Sequence, residues 1–183
     1  MSNLEATVQK ILDAVDADDV GRAETLLQAA LSTKGGGGGG KSHIGLRAAG
    51  ALIALRNDQR CEARATALAL AASATLLEYP SAVNVVTHLL QCLSMWDALI
   101  ALYQRLVPQF PPTDTAILEN LVMTYCRCGK FAEVQKTATT LFQRSHDLRH
   151  VLWSVIANVQ LATAANDPSA FQWKLAAKTL HDR

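Results

Sequence analysis

The chain has 183 residues, of which 50% are hydrophobic, 18% charged and only 5% aromatic, so its apolar content is aliphatic and alanine-rich. That is enough chain to bury a core, and the composition excludes a disordered polymer, which needs few aliphatics and a large charge imbalance. Seventeen basic residues against 16 acidic ones leave a formal charge of +1, which argues against DNA as a partner because general nucleic-acid wrapping needs a basic excess.

From the amino terminus onward the chain shows helical periodicity and no strict two-residue alternation, so an all-α fold is predicted. Ile11, Leu12 and Val15 close a first helix, and Asp16-Ala17-Asp18-Asp19 reads as a turn. Val20, Ala23, Leu27 and Ala30 then lie on one face of a second helix. Residues 1–33 are acidic, with Glu5, Asp13, Asp16, Asp18, Asp19 and Glu24 against Lys10 and Arg22. The rest of the chain is correspondingly basic.

The run Gly35 to Gly40, followed by Lys41-Ser42, matches a phosphate-binding loop letter by letter. A phosphate cradle needs a strand before it and an acidic residue at a second strand end for magnesium. Here a predicted helix precedes the run and no strand is expected. A homoglycine tract is conformationally loose, so Gly35–Gly40 is read as a flexible inter-helix loop. A longer helix pair covers roughly 44–57 and 59–78, stopped by Pro80.

Beyond Pro80 an internal period appears. Val83, Val86, Leu90, Trp96, Leu99, Tyr103 and Leu106 map, 35 residues on, to Leu118, Leu121, Tyr125, Phe131, Val134, Ala138 and Leu141. Every position is apolar or aromatic, and each copy splits into two helical stripes around a short turn, Leu93-Ser94-Met95 or Cys128-Gly129-Lys130. Gly129 suits a helix end because it takes the left-handed conformation without a Cβ clash. A Trp153-containing helix follows, then an Asn166-Asp167-Pro168 break and a last amphipathic helix from about Ser169.

About five helix pairs therefore fill residues 1–183 as a single domain. Pairs of about 34 residues are the tetratricopeptide (TPR) signature. One such pair buries only one face, so neighbours must stack, and a right-handed superhelix of antiparallel pairs is expected. The packing positions are Val86, Leu90, Trp96, Leu99, Tyr103, Leu121, Tyr125, Gly129, Phe131, Val134, Ala138 and Leu141. The last pair lacks an obvious polar cap, which suggests the amino-terminal part of a longer chain.

Little else in the sequence points to chemistry. Cys61, Cys92, Cys126 and Cys128 include only a C-x-C pair, so reduced, buried thiols in a cytosolic protein are expected. No stretch is long and apolar enough for a membrane span. His146 and His150 would share a helical face if that stretch were helical, but no further ligand is visible. Asn84 and Asn120 lie where TPR domains grip carboxylates, without the cooperating cations. Arg127, Lys130, Lys136, Arg144 and Arg149 form a modest basic stretch, readable as solvated helix faces or as a surface for an anionic partner. No catalytic, cofactor-binding or metal residues are assigned.

The ordered set Leu102-Tyr103, Met123-x-Tyr125-x-Arg127-x-Gly129-x-Phe131 and Trp153-Ser154-Val155 resembles the amino-terminal TPR region of the auxiliary subunit of the N-terminal acetyltransferase B (NatB) complex. The glycine tract and Asn57-Asp58 depart from that pattern. The resemblance implies a non-catalytic cytoplasmic scaffold that embraces a catalytic subunit of the GNAT acetyltransferase fold. It would assist Nα-acetylation of nascent chains starting Met-Asp, Met-Glu, Met-Asn or Met-Gln at the ribosome. Acetyl-CoA would belong to the partner. The alternative is a general TPR adaptor serving chaperones or trafficking.

Overall fold

The computed structural model describes residues 3–32, 43–111, 114–165 and 170–181. The Gly35–Gly40 run with Lys41-Ser42, and the Asn166-Asp167-Pro168 break, lie outside them. The described residues form ten α-helices and no strand: α1 (Asn3–Asp16), α2 (Val20–Ser32), α3 (Ile44–Arg56), α4 (Arg60–Ala72), α5 (Pro80–Cys92), α6 (Trp96–Leu106), α7 (Ala116–Arg127), α8 (Phe131–Ser145), α9 (Leu148–Ala164) and α10 (Ala170–His181). Short 3₁₀ turns occupy Ala74–Glu78 and Val107–Gln109. The fold is all-α and TPR-like.

Four helix–helix connections share one backbone design. Asp18, Asp58, Ser94 and Gly129 all adopt positive φ, at 59°, 59°, 54° and 67°. In each, the left-handed residue donates its N–H to the carbonyl three residues back (Val15, Leu55, Gln91 or Cys126, 3.0–3.1 Å). The next N–H reaches the carbonyl five back (Ala14, Ala54, Leu90 or Tyr125, 2.8–3.0 Å). This paired bonding is a Schellman C-cap, which satisfies the carbonyls left open at a helix end. Three linking residues then suffice to start the next helix. Five residues past each left-handed position stands a fully buried residue: Ala23, Ala63, Leu99 or Val134.

The sequence marks this design only at Gly129. Aspartate tolerates the left-handed region because its short polar side chain bonds locally, so Asp18 and Asp58 do the work of a glycine. Asn57-Asp58 is therefore the same turn in another residue type, which aligns the first two pairs with the later ones.

The chain folds as two compact units, Met1–Leu102 and Tyr103–Arg183. In the first, α1 packs on α2 and α3 on α4, while α3 also meets α1, α2 and α5, and α4 meets α5. Surrounded in this way, α3 buries nine residues around its whole circumference, which explains why Ile44–Arg56 shows no single apolar stripe. Its small residues allow close approach: a Cβ on Gly45 would stand 3.0 Å from Val8 Cγ2 of α1.

The predicted 59–78 helix is shorter than expected. α4 ends at Ala72, Ser73 is extended, and Ala74–Glu78 makes a separate 3₁₀ turn. Pro80 does not stop a helix but opens α5 at its first turn, where its missing N–H costs nothing. It also pushes Tyr79 out of the helical region, to φ −123° and ψ 86°.

In the second unit α7 packs on α8, α8 on α9 and α9 on α10. Its core comprises Leu118, Leu121, Val122 and Tyr125 of α7, Val134, Ala138 and Leu141 of α8, and Val155 and Ala157 of α9. The Tyr125 hydroxyl accepts a hydrogen bond from Gln104 Nε2 at 2.9 Å, so the ring is buried without stranding its polar end.

Candidate functional site

Val86, Leu90, Leu99, Tyr103, Leu121, Tyr125, Val134, Ala138 and Leu141 are buried. Trp96 and Phe131 are half-buried. They are the first residues of α6 and α8 respectively, a position beside the hairpin turn where neighbours cover only one side. Gly129 is the exposed turn residue described above.

Among the basic residues, Arg127, Lys130, Lys136, Arg144 and Arg149 are exposed, and Lys136 and Arg149 each hold an acidic residue nearby in sequence. Lys136 pairs with Glu133 at 3.3 Å. Arg149 grips Asp147 through Nη2 at 2.6 Å and Nε at 2.8 Å. Asp147 is also the N-cap of α9, accepting from the Arg149 backbone N–H at 2.9 Å. The Arg149 side-chain hydrogen bonds, then the backbone one, hold the Asp147 carboxyl down at about 2.

Because this folded-state value lies below the ordinary 3.8, the stabilisation is present above about pH 4 and is lost as pH falls toward 2. Thermal unfolding followed between pH 5 and pH 2 should show a shallower acid-side loss for Asp147→Asn than for the parent chain. Identical profiles would mean that the pairing contributes nothing.

The four thiols are free but not buried as expected: Cys61 and Cys92 are exposed, Cys126 and Cys128 half-buried. They sit on outer positions and at helix ends, because the inner stripe is filled by aliphatic residues. Partial burial pushes the Cys126 thiol up. Among the described residues, no group of three or more His, Cys, Asp or Glu is placed to hold a metal. Among the same residues, no helix is long and apolar enough to cross a membrane.

His146 and His150 do not share a helical face. His146 caps α8 in the left-handed conformation, with φ 55° and ψ 21°, and its ring meets Phe142 edge-on. His150 lies in the first turn of α9 and is buried. Its Nδ1 is 2.8 Å from Ser145 Oγ of α8, and its Nε2 is 3.3 Å from Glu119 Oε1 of α7. A carboxylate only accepts, so Nε2 is the donor to Glu119.

This cluster escaped the sequence reading, although a signal existed. Glu119 and His150 are 31 residues apart, one repeat less one helical turn, which is the offset for neighbouring first helices facing each other.

Two openings in the surface accompany these elements. A groove of about 690 Å³ in the first unit is floored by Gly50, Ala51 and Ala54 of α3, between Leu27 and Leu31 of α2 and Thr66 of α4. Glu24, on its rim, accepts from Asn57 Nδ2 at 2.6 Å. A smaller pocket of about 190 Å³ in the second unit is lined by Glu119, Val122, Met123, Leu141, Arg149, His150 and Trp153. The arrangement offers surfaces and anchors, which is the equipment of a protein-binding repeat.

No curated protein matches the chain. A family model described as the Psidin N-terminal TPR repeats region matches residues 8–182. With helix pairs joined by one recurring turn and a match over nearly its whole length, the chain belongs to the Psidin N-terminal TPR repeat family.

Proposed function

We propose that the chain is a scaffold arm of a NatB-like acetyltransferase auxiliary subunit, holding a catalytic GNAT-fold partner that supplies acetyl-CoA chemistry. TPR-type repeat regions act by binding proteins, and membership of that family carries the coarser reading. The finer one is supported by the ordered set around Leu102-Tyr103, Met123 to Phe131 and Trp153-Ser154-Val155. Stacked pairs offer a wide surface on which a few buried anchors supply most of the affinity. A general adaptor for chaperones or trafficking is the second reading, favoured equally by the family match.

Affinity purification of the tagged full-length protein, with mass spectrometry of its partners, separates the two. A GNAT-fold acetyltransferase that acetylates Met-Asp or Met-Glu peptides is the expected companion. Recovery of chaperones alone would replace the first reading with the second. Ribosome contact is assigned to the basic stretch 127–149. Charge reversal at Lys130, Lys136 and Arg144 should lower co-sedimentation with ribosomes, and unchanged sedimentation removes that assignment.

A further inference from the structure

We infer that the pocket between α7, α8 and α9 receives a single cationic side chain, lysine or arginine, from a bound protein segment. The inference requires only that this unit bind protein, so it stands apart from the acetyltransferase reading.

Size comes first. About 190 Å³ is below the usual 300–1,000 Å³ of small-molecule sites, and suits one long side chain. Its base is apolar: Val122 and Leu141 are buried beneath it, an environment for the methylenes of a lysine or arginine stem. Met123, 42% exposed, stands on the rim as an adaptable wall. Trp153 provides an indole, the strongest aromatic partner for a cation.

Charge then selects the occupant. Glu119 contributes the pocket's carboxylate. Its Oε1 accepts from Thr115 Oγ1 at 2.8 Å and from His150 Nε2 at 3.3 Å. Oε2 makes no hydrogen bond among the described residues, and the side chain is 47% exposed. The carboxylate is thus held in place from two sides with one oxygen left to accept. His150 is itself fixed, its ring 5% exposed and its other nitrogen on Ser145, so the anchor for Glu119 is rigid.

Arg149 is the cation that also borders the pocket, but its guanidinium is committed to Asp147 by two hydrogen bonds. With that pair neutralised internally, Glu119 leaves the site with a negative balance. An anionic ligand would meet the Glu119 carboxylate, which Arg149 offsets only through space while its guanidinium is held on Asp147. A neutral apolar side chain would leave Oε2 facing it without a donor, at the cost of desolvation. A cation on an aliphatic stem satisfies base, wall and carboxylate together, and adds the charge that a neutral donor lacks.

The test uses the full chain and three small probes: N-acetyl-lysine methylamide, its neutral norleucine analogue and its acidic glutamate analogue. The readout is the indole N–H resonance of Trp153, assigned with Trp153→Phe. The lysine probe should shift this resonance saturably while the other two leave it in place. Glu119→Gln should weaken the lysine response about fivefold, as loss of a partly exposed charge contact does. Gln keeps an oxygen to accept from Thr115 and His150, and unshifted Trp96 and Trp173 resonances confirm that the fold is retained. Equal response to norleucine, a response to the glutamate probe, no saturable lysine response, or an unchanged response in Glu119→Gln each overturns the inference.

Discussion

Replacing Leu90 or Tyr125 by alanine should lower the unfolding free energy by about 2–5 kcal/mol, the range for emptying a well-packed core site. The two residues stand 35 apart at the same place in successive repeats. Each supplies the carbonyl that closes its Schellman turn and is buried, at 0% and 4% exposure. Their side chains differ, yet their loss should have similar consequences, because each removes the last buried apolar group of a first helix, beside its closing turn. Tyr125→Phe separates the ring from the hydroxyl: only the bond from Gln104 disappears, worth about 0.5–1.5 kcal/mol. Urea unfolding followed by circular dichroism supplies the measurement. A loss below about 1 kcal/mol for either alanine variant would show that the site collapses freely and that the repeat equivalence carries no energetic weight.

The second large effect lies at the turns. Gly129→Val should destabilise by about 2 kcal/mol or more, since φ is 67°, an L-residue loses roughly 1–2 kcal/mol in the left-handed region, and a branched Cβ fares worse. Space is not the reason: a Cβ there would meet nothing closer than Phe131 Cε2 at 4.0 Å. Ser94 occupies the equivalent position at φ 54°. Ser94→Gly relieves the strain but frees the unfolded chain, leaving a net gain of about 0.5 kcal/mol. Opposite signs for the two substitutions in thermal unfolding are the expected result. A neutral Gly129→Val would mean that the turn relaxes into another geometry, and that the shared bonding of the four connections is not required.

Legibility varied along the chain for physical reasons. In α5 to α8 the period of 35 residues was visible because each helix has one buried stripe, and Trp96 and Phe131 fall at the first residue of α6 and α8 as their stripes suggest. The earlier pairs were harder to align. Asp18 and Asp58 stand where a glycine would have announced the turn, and α3 is covered on several sides, so its apolar residues form no stripe. The limit of α4 was missed because Ala74–Glu78 continues the apolar pattern in a 3₁₀ turn.

The candidate site was the least visible. Glu119, Thr115, Ser145 and His150 carry no motif, and their meeting depends on three helices. Helical periodicity and capping are local properties written over four or five residues, so the sequence by itself determined an all-α chain of hairpins and most of its buried stripes. Which polar groups face one another was decided by tertiary structure, because Glu119 reaches His150 only once α7, α8 and α9 have packed. The same packing holds one carboxylate oxygen of Glu119 and leaves the other open, and no short-range preference encodes that arrangement.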